Sequence, residues 1–297
     1  MTRAHIDKPS AAPHGLAMLA VAEAYGLTFL YPSRDDAVGA CLRDHGEFAR
    51  PESDLIGDYL AAADTPGTFI DVGANLGAIA LPVAARHPAW RVLALEAHGG
   101  LAGVLAANAY NNRLFNVEPT HAAAGAATGL ASFPANRLSG AGNFGALGFG
   151  LAGAVRTERV RMCTLDEVAT PDVGFIKVDV EGFEAQVLAG ASGLLARATA
   201  VWLLEANFAD HAQVGTNAGL LRHMGYRLFW FYAPFVCAAP LKGPKPARWR
   251  GDLNLLALPP GAANLWDLEE VGAEDQPWPR LFDRFPYLRR YGYDIAP

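Results

Sequence analysis

The run Thr68-Phe-Ile-Asp-Val-Gly-Ala-Asn-Leu-Gly77 constrains this chain more than any other stretch. Phe69, Ile70 and Val72 read as a short buried strand, residues 71–77 as a glycine-rich turn, and residues 78–86 as a helix packed behind it. Gly73 and Gly77 permit positive φ and close approach of backbone to a ligand, and the helix start leaves N–H groups unpaired. Asp71 and Asn75 add polar oxygens at the carboxyl end of the strand, where open α/β sheets take their ligands. An ordinary strand-to-helix turn, with Asp and Asn serving only as caps, is the competing reading.

A second acid decides between the two. Val92-Leu-Ala-Leu-Glu96 is an apolar run ending in Glu96, the place where a ribose diol is held. The loop lacks the three-glycine spacing that admits a pyrophosphate, so a nucleoside without phosphates fits better than a dinucleotide. S-adenosyl-L-methionine is the common cofactor of that kind. A third strand is predicted over residues 116–124, and its small Ala122-Ala123-Ala124 end lets a flat adenine approach. Ala97 follows the ribose acid, and His98 either meets the adenine or lies in solvent.

With 52% hydrophobic and 18% charged residues the 297-residue chain supports a sizeable core, one large α/β domain with extensions or two small ones. A net charge of −6 argues against nucleic acid as partner. Cys41, Cys163 and Cys237 are far apart with no CxxC, which points to reduced thiols and neither a disulfide frame nor a zinc site. Residues 1–14 read as a tail without a secretory signal. The uncharged runs 138–155 and 228–241 carry glycines or prolines and do not read as membrane helices. The expectation is a cytoplasmic protein with no membrane span, its oligomeric state open.

Three segments are expected: a helical and hairpin extension over residues 1–64, a nucleoside-binding domain over 65–260, and an aromatic-rich extension over 261–297 that docks on the body or on a partner. In the first, residues 15–25 have helical spacing, 27–31 suit a strand, and 38–45 and 51–63 suit helices. Arg34, Asp35, Asp36, His45, Glu47 and Glu52 border the site or, as charged residues usually do, face solvent. Strands are predicted over 126–134, 155–164, 199–207, 226–231 and 252–258, and helices over 101–111, 183–196 and 211–224, the last two strands pairing antiparallel at the sheet edge. The run 139–154 holds six glycines, too many for a helix. It reads as a mobile substrate-side loop with Asn143, Phe144 and Phe149 as contacts, or as a floppy surface excursion.

The other strong signal is Val173-Gly-Phe-Ile-Lys-Val-Asp-Val-Glu-Gly182. Lys177, Asp179 and Glu181 interrupt a buried strand at alternate positions, which is costly unless they are paired or solvated at a site. A structural salt bridge is the bland alternative. Asp179 is the candidate general base, Glu181 the second, and Lys177 the group that orients them. A variant places a divalent metal on Asp179, Glu205 and Asn207, at ends of neighbouring strands.

Together, residues 69–77, 94–96, 122–123, 164–166, 176–182, 184–190 and 203–205 resemble the FkbM family of S-adenosylmethionine-dependent methyltransferases. The resemblance spans roughly residues 65–210, with an extension to Gly251-Asp-Leu-Asn-Leu-Leu256; Ala97 stands where a proline is common. It implies a class I methyltransferase, Rossmann-like fold: about seven mostly parallel strands, helices on both faces and an antiparallel edge strand. It also implies O-methylation of a hydroxyl on a sugar, glycan or secondary metabolite, and cofactor contacts from Asp71, Gly73, Asn75, Gly77, Glu96, Ala97 and Ala123. A nicotinamide-dependent oxidoreductase would require the missing pyrophosphate loop, and a non-catalytic nucleoside-binding or scaffold module would share the fold.

Overall fold

A computed structural model describes residues 18–134, 138–149, 156–207, 210–248, 250–272 and 284–295. The expectations placed on residues 1–14, on 150–154, and on Trp278 and Phe282 lie outside them. In chain order the elements are β1 (Leu19–Ala24), β2 (Leu27–Pro32), α1 (Val38–His45), α2 (Arg50–Ala62), β3 (Thr68–Val72), α3 (Ala80–Arg86), β4 (Arg91–Glu96) and α4 (Gly99–Asn111). They continue with β5 (Val117–His121), β6 (Ala123–Ala124), β7 (Gly129–Pro134), β8 (Thr157–Cys163), α5 (Leu165–Val168), β9 (Val173–Val178), α6 (Glu184–Ala189) and α7 (Ser192–Arg197). The last are β10 (Val201–Glu205), α8 (His211–His223), β11 (Arg227–Pro234), β12 (Gly251–Leu258) and a 3-10 helix, Pro286–Tyr291.

The central sheet has the order β11-β12-β10-β9-β3-β4-β5. Its five strands from β10 to β5 are parallel, and β12 runs against both β10 and β11. This is the expected class I, Rossmann-like sheet, with one refinement: the reversed strand is β12, second from the edge, and β11 forms the edge. β3 is the switch point, because the chain proceeds from it to β4 and β5 on one side and later to β9 and β10 on the other. A crevice therefore opens at the carboxyl ends of β3, β4 and β9. All five residues of β3 are buried, as a parallel strand covered on both faces requires.

Three boundaries differ from the sequence expectation. Residues 15–25 were expected to be helical, yet 19–24 form β1, paired antiparallel with β2. Tyr25 and Gly26 both have positive φ (55° and 75°), the two-residue turn that matches strand twist, so hairpin closure overrides the helix propensity of Leu, Ala and Glu. The open edge of β2 is met by α4: Asn108 accepts from the Leu30 N–H at 2.7 Å and donates to the Leu30 carbonyl at 3.0 Å. The third strand divides into β5 in the central sheet and β6, which joins β8 and β7 in a separate three-stranded sheet. The helix expected over 183–196 is broken at Gly190 and Ala191 into α6 and α7.

The aromatic C-terminal segment docks on the body, as far as it is described. Buried residues from 18–64, from the central region and from 262–295 belong to one hydrophobic core. Trp266 donates its indole N–H to Asp58 of α2 at 2.7 Å, and Tyr291 its hydroxyl to Asp54 at 2.9 Å. Tyr287 donates to the Tyr232 carbonyl (2.7 Å) and accepts from the Tyr232 N–H (2.8 Å) on the edge strand β11. Tyr287→Phe removes both bonds to the edge strand, and we expect a loss of about 1–3 kcal/mol in urea unfolding. Among the described residues no helix is long and apolar enough to cross a membrane. All three cysteines are free thiols.

Candidate functional site

A cavity of about 440 Å³ occupies the crevice at the switch point. That is within the range of roughly 300–1,000 Å³ typical of small-ligand sites. The loop after β3 forms its floor. Gly73 and Ala74 both donate to the Leu95 carbonyl of β4 at 2.9 Å, and positive φ at Gly73, Asn75 and Gly77 folds the loop back over the strand ends. Gly73 has no room for a side chain, because a Cβ would collide with the Asp179 carbonyl oxygen.

Glu96 ends β4 fully buried, with one carboxylate oxygen accepting from Asn75 N–H and the other from His98 N–H, each at 2.8 Å. Burial pushes its carboxyl up to about 7 against the lowering effect of these two bonds, and neighbouring Asp71 and Asp179 push it further. His98 is only 3% exposed, which rules out the solvent histidine, and it lines the cavity. Its Nδ1 accepts from the Gly100 and Leu101 N–H groups and caps α4. Leu101, Ile79 and residues 122–124 line the wall beside it.

At the other end stands the lysine of the second sequence signal. Lys177 is on β9, but the strand stops at Val178, so Asp179 and Glu181 sit on the loop beyond it instead of alternating along a core strand. The Lys177 ammonium is 3.1 Å from Asp179 Oδ2, 3.4 Å from Asp71 Oδ1 and 3.9 Å from Glu52 Oε1. Burial opposes its charge, yet Asp179, Asp71 and Glu52 outweigh that and hold it well above the ordinary lysine range. Asp179 keeps about a third of its side chain exposed to the cavity (36%). Glu181 adopts a left-handed conformation (φ 52°), and Glu184 accepts from the Val180 and Gly182 N–H groups to fix that turn.

Of the sequence-predicted residues, Asp71, Gly73, Asn75, Glu96, Ala97 and Ala123 line the cavity, and so do Lys177, Asp179 and Glu181. Gly77 does not: a Cβ there would press on Leu81 and Leu105, so this glycine serves helix packing. Asn143, Phe144 and Phe149 of the glycine-rich run face the cavity, and Phe144 is buried, which settles that part of the run as a packed wall. The Phe149 ring lies against Phe133 and Phe183, with centroids at 5.1 and 4.5 Å.

Glu205 and Asn207 also line the cavity. Among the described residues no group of three or more His, Cys, Asp and Glu side chains is arranged to hold a metal ion. Glu205 is pushed up to about 11, chiefly by burial and then by Asp179, Asp252, Glu181 and Glu184. Of the preamble residues, Arg34 and Asp36 are exposed as expected, whereas Asp35, Glu47 and Glu52 are buried. Asp35 caps the start of α1, Glu47 accepts from the Cys237 and Leu241 N–H groups, and Glu52 meets Lys177.

Sequence reasoning assigned no site role to Asp252 of β12 or to the stacked pair Phe48 and Phe235, all of which line the cavity. Only Asp252 left a trace, as a polar residue opening an otherwise apolar strand beside Asn254.

Residues 71–228 match the sequence profile described as the methyltransferase FkbM domain. The chain belongs to the FkbM methyltransferase family. The FkbM match begins at the last residues of β3 and ends in β11, so Phe48, Phe235 and Asp252 reach the cavity from outside it, and Glu52, also outside it, meets Lys177 from behind. No curated protein matches the chain. Among solved structures it is similar to the methyltransferase FkbM from Methylobacillus flagellatus KT, with 16% identity, a TM-score of 0.41 and coverage of 64% of this chain. It spans 43% of the length of that protein. It is also similar to a SAM-dependent methyltransferase from Agrobacterium tumefaciens, with 12% identity, a TM-score of 0.47 and coverage of 84% of this chain and 72% of that one. The precorrin-6y C5,15-methyltransferase from Geobacter metallireducens GS-15 shows 15% identity, a TM-score of 0.41 and coverage of 69% and 85%.

Proposed function

We propose that this FkbM-family chain methylates a hydroxyl of a sugar, glycan or secondary metabolite, using S-adenosyl-L-methionine as donor and Asp179 as general base. The observation that carries the reading is one cavity that joins the buried Glu96 carboxylate, held by the loop after β3, to the partly exposed Asp179 carboxylate, with Lys177 bridging Asp179 and Asp71. The donor set suits the nucleoside. Glu96 uses one lone pair of each oxygen on backbone N–H groups and keeps acceptor capacity for a diol. The small residues 122–124 with Ile79 and Leu101 suit an adenine, and Asp71 carries two oxygens with no hydrogen-bond partner, suited to a cationic group.

S-adenosyl-L-methionine supplies an electrophilic methyl group on a sulfonium that becomes a neutral thioether when the methyl leaves. The rest falls to the chain's own residues. Asp179 takes the acceptor's hydroxyl proton as the oxygen lone pair forms the new carbon–oxygen bond. Lys177 holds that carboxylate in place, and closely aligned positioning supplies about 7–11 kcal/mol of the barrier reduction. Glu181 lies within the same turn as the second basic candidate.

Glu96→Gln replaces an acceptor-only carboxylate with an amide that cannot satisfy both N–H groups and a diol. The expected result is S-adenosylhomocysteine affinity weaker by about tenfold to a hundredfold, since hydrogen bonds to charged groups are worth roughly 1.5–3 kcal/mol, measured by titration calorimetry. The function itself is tested with methyl-labelled donor against matched neutral, amine-bearing and phosphorylated polyols, read by mass. Asp179, Glu181, Glu205 and Asp252 surround the acceptor end, so label is expected in neutral or amine-bearing hydroxyl compounds and not in phosphorylated ones. Label on nitrogen or carbon instead of oxygen would overturn the O-methylation reading.

A further inference from the structure

The charges facing the cavity do not balance. Asp71 comes from β3, Glu96 from β4, Asp179 and Glu181 from the loop after β9, Glu205 from β10 and Asp252 from β12. Behind them Glu52 of α2 and Glu184 of α6 add two more carboxyls. Among the described lining residues Lys177 is the one lysine or arginine, and it is already engaged by Asp71, Asp179 and Glu52. The His98 Nδ1 is committed to the α4 cap.

Two of these acids are left short of partners. Asp71 is wholly buried and lines the cavity, yet neither of its oxygens receives a hydrogen bond, and the Lys177 ammonium stands 3.4 Å from Oδ1. Glu205 Oε2 is buried with no hydrogen-bond partner. Asp71 shares its one neighbouring ammonium with Asp179 and Glu52, so Asp71 and Glu205 both gain from a proton or from a further cation that arrives from outside.

Resting on the reading of the site given above, we propose that this surplus of carboxyls makes the cavity a reader of ligand charge: it takes a positively charged nucleoside with release of a proton and takes the neutral thioether nucleoside without that release. The physical basis is linkage. Glu96 and Glu181 are pushed up to about 7 and Asp252 to about 8, so these groups carry protons near neutrality. The causes are burial first, then the mutual repulsion of Asp71, Asp179, Glu181 and Glu184, with Lys177 acting in the opposite sense on Glu181 and Asp252. A cation entering among them favours their ionised forms and expels protons to solvent. Once the methyl group has left, the ligand is neutral, a proton returns to the cluster, and the product loses the electrostatic hold that the donor had. The discrimination between donor and product then grows as pH rises.

Three probes test this without any acceptor: S-adenosylmethionine, its neutral product S-adenosylhomocysteine, and sinefungin, in which an amine-bearing carbon replaces the sulfonium. Each is titrated calorimetrically into the full chain at about pH 6.5, in two buffers of different ionisation enthalpy, and the proton count is taken from the difference. The two cationic nucleosides are expected to release about half a proton more per molecule than the thioether, and their affinity relative to it should climb several-fold between about pH 5.5 and 7. Asp252→Asn is expected to shrink the difference while S-adenosylhomocysteine still binds; Glu181→Gln is a second variant with the same expectation. Equal proton counts for all three ligands, or a larger release by the thioether, would overturn the proposal while leaving the cofactor reading intact. Binding of none of the three would remove the cofactor reading and the proposal with it.

Discussion

Asp179→Asn is expected to lower kcat by about a hundredfold to ten-thousandfold, the range over which a positioned general base contributes. An amide cannot take the hydroxyl proton, and that is the whole of the intended loss. Its oxygen can still accept from the Lys177 ammonium, now 3.1 Å away, and the Asp179 backbone N–H still reaches the Val72 carbonyl at 3.1 Å. The link between β3 and β9 is therefore kept, and S-adenosylhomocysteine affinity should change little. Initial rates with an acceptor found by the labelled-methyl screen, beside calorimetric titration of the product, separate the two effects. Turnover within a factor of two of the parent would assign the proton to another group, with Glu181 next in line.

Gly73→Ala should be the most damaging single methyl addition at the site, costing about 3 kcal/mol or more of stability together with most of the cofactor affinity. Two penalties combine. The backbone has φ of 81°, where an L side chain is disfavoured, and a Cβ would collide with the Asp179 carbonyl oxygen. Relief requires the loop after β9 to move away from β3, which opens the crevice and displaces the proposed base. Gly182→Ala is the control, since φ is 90° but nothing lies within 4 Å of the added carbon. It should cost only about 1 kcal/mol. Urea unfolding of the two variants, with S-adenosylhomocysteine binding measured on each, isolates the steric share. Similar values for both would mean that the contact with Asp179 yields easily.

The site divides in the same way between what is local and what is not. Asp71, Gly73, Asn75 and Glu96 were legible because a strand, a tight turn and the next strand's final acid follow in order, and parallel pairing of β3 with β4 brings them together. Lys177 and Asp179 were legible as charges in an apolar run, although the end of β9 at Val178 decides that Asp179 faces the cavity from a loop. Glu52 had no such signature. Its sequence neighbours suit an amphipathic helix, and only the docking of α2 against β9 turns an expected surface acid into a partner for Lys177. The same holds for the stacked pair Phe48 and Phe235 and for Asp252, which reach the cavity from before α2, from beyond β11 and from β12.

By itself, the sequence determined the parallel α/β sheet, its switch point and the polar groups along the carboxyl ends of its strands, because side-chain periodicity and glycine turns act over a few residues. Tertiary structure alone decided that residues 19–24 pair as a hairpin strand, that Gly77 packs a helix, and that Asp71, Asp179 and Glu52 meet one buried ammonium while further carboxyls gather at the same cavity. Burial and charge crowding depend on which distant elements meet, and no local pattern records that.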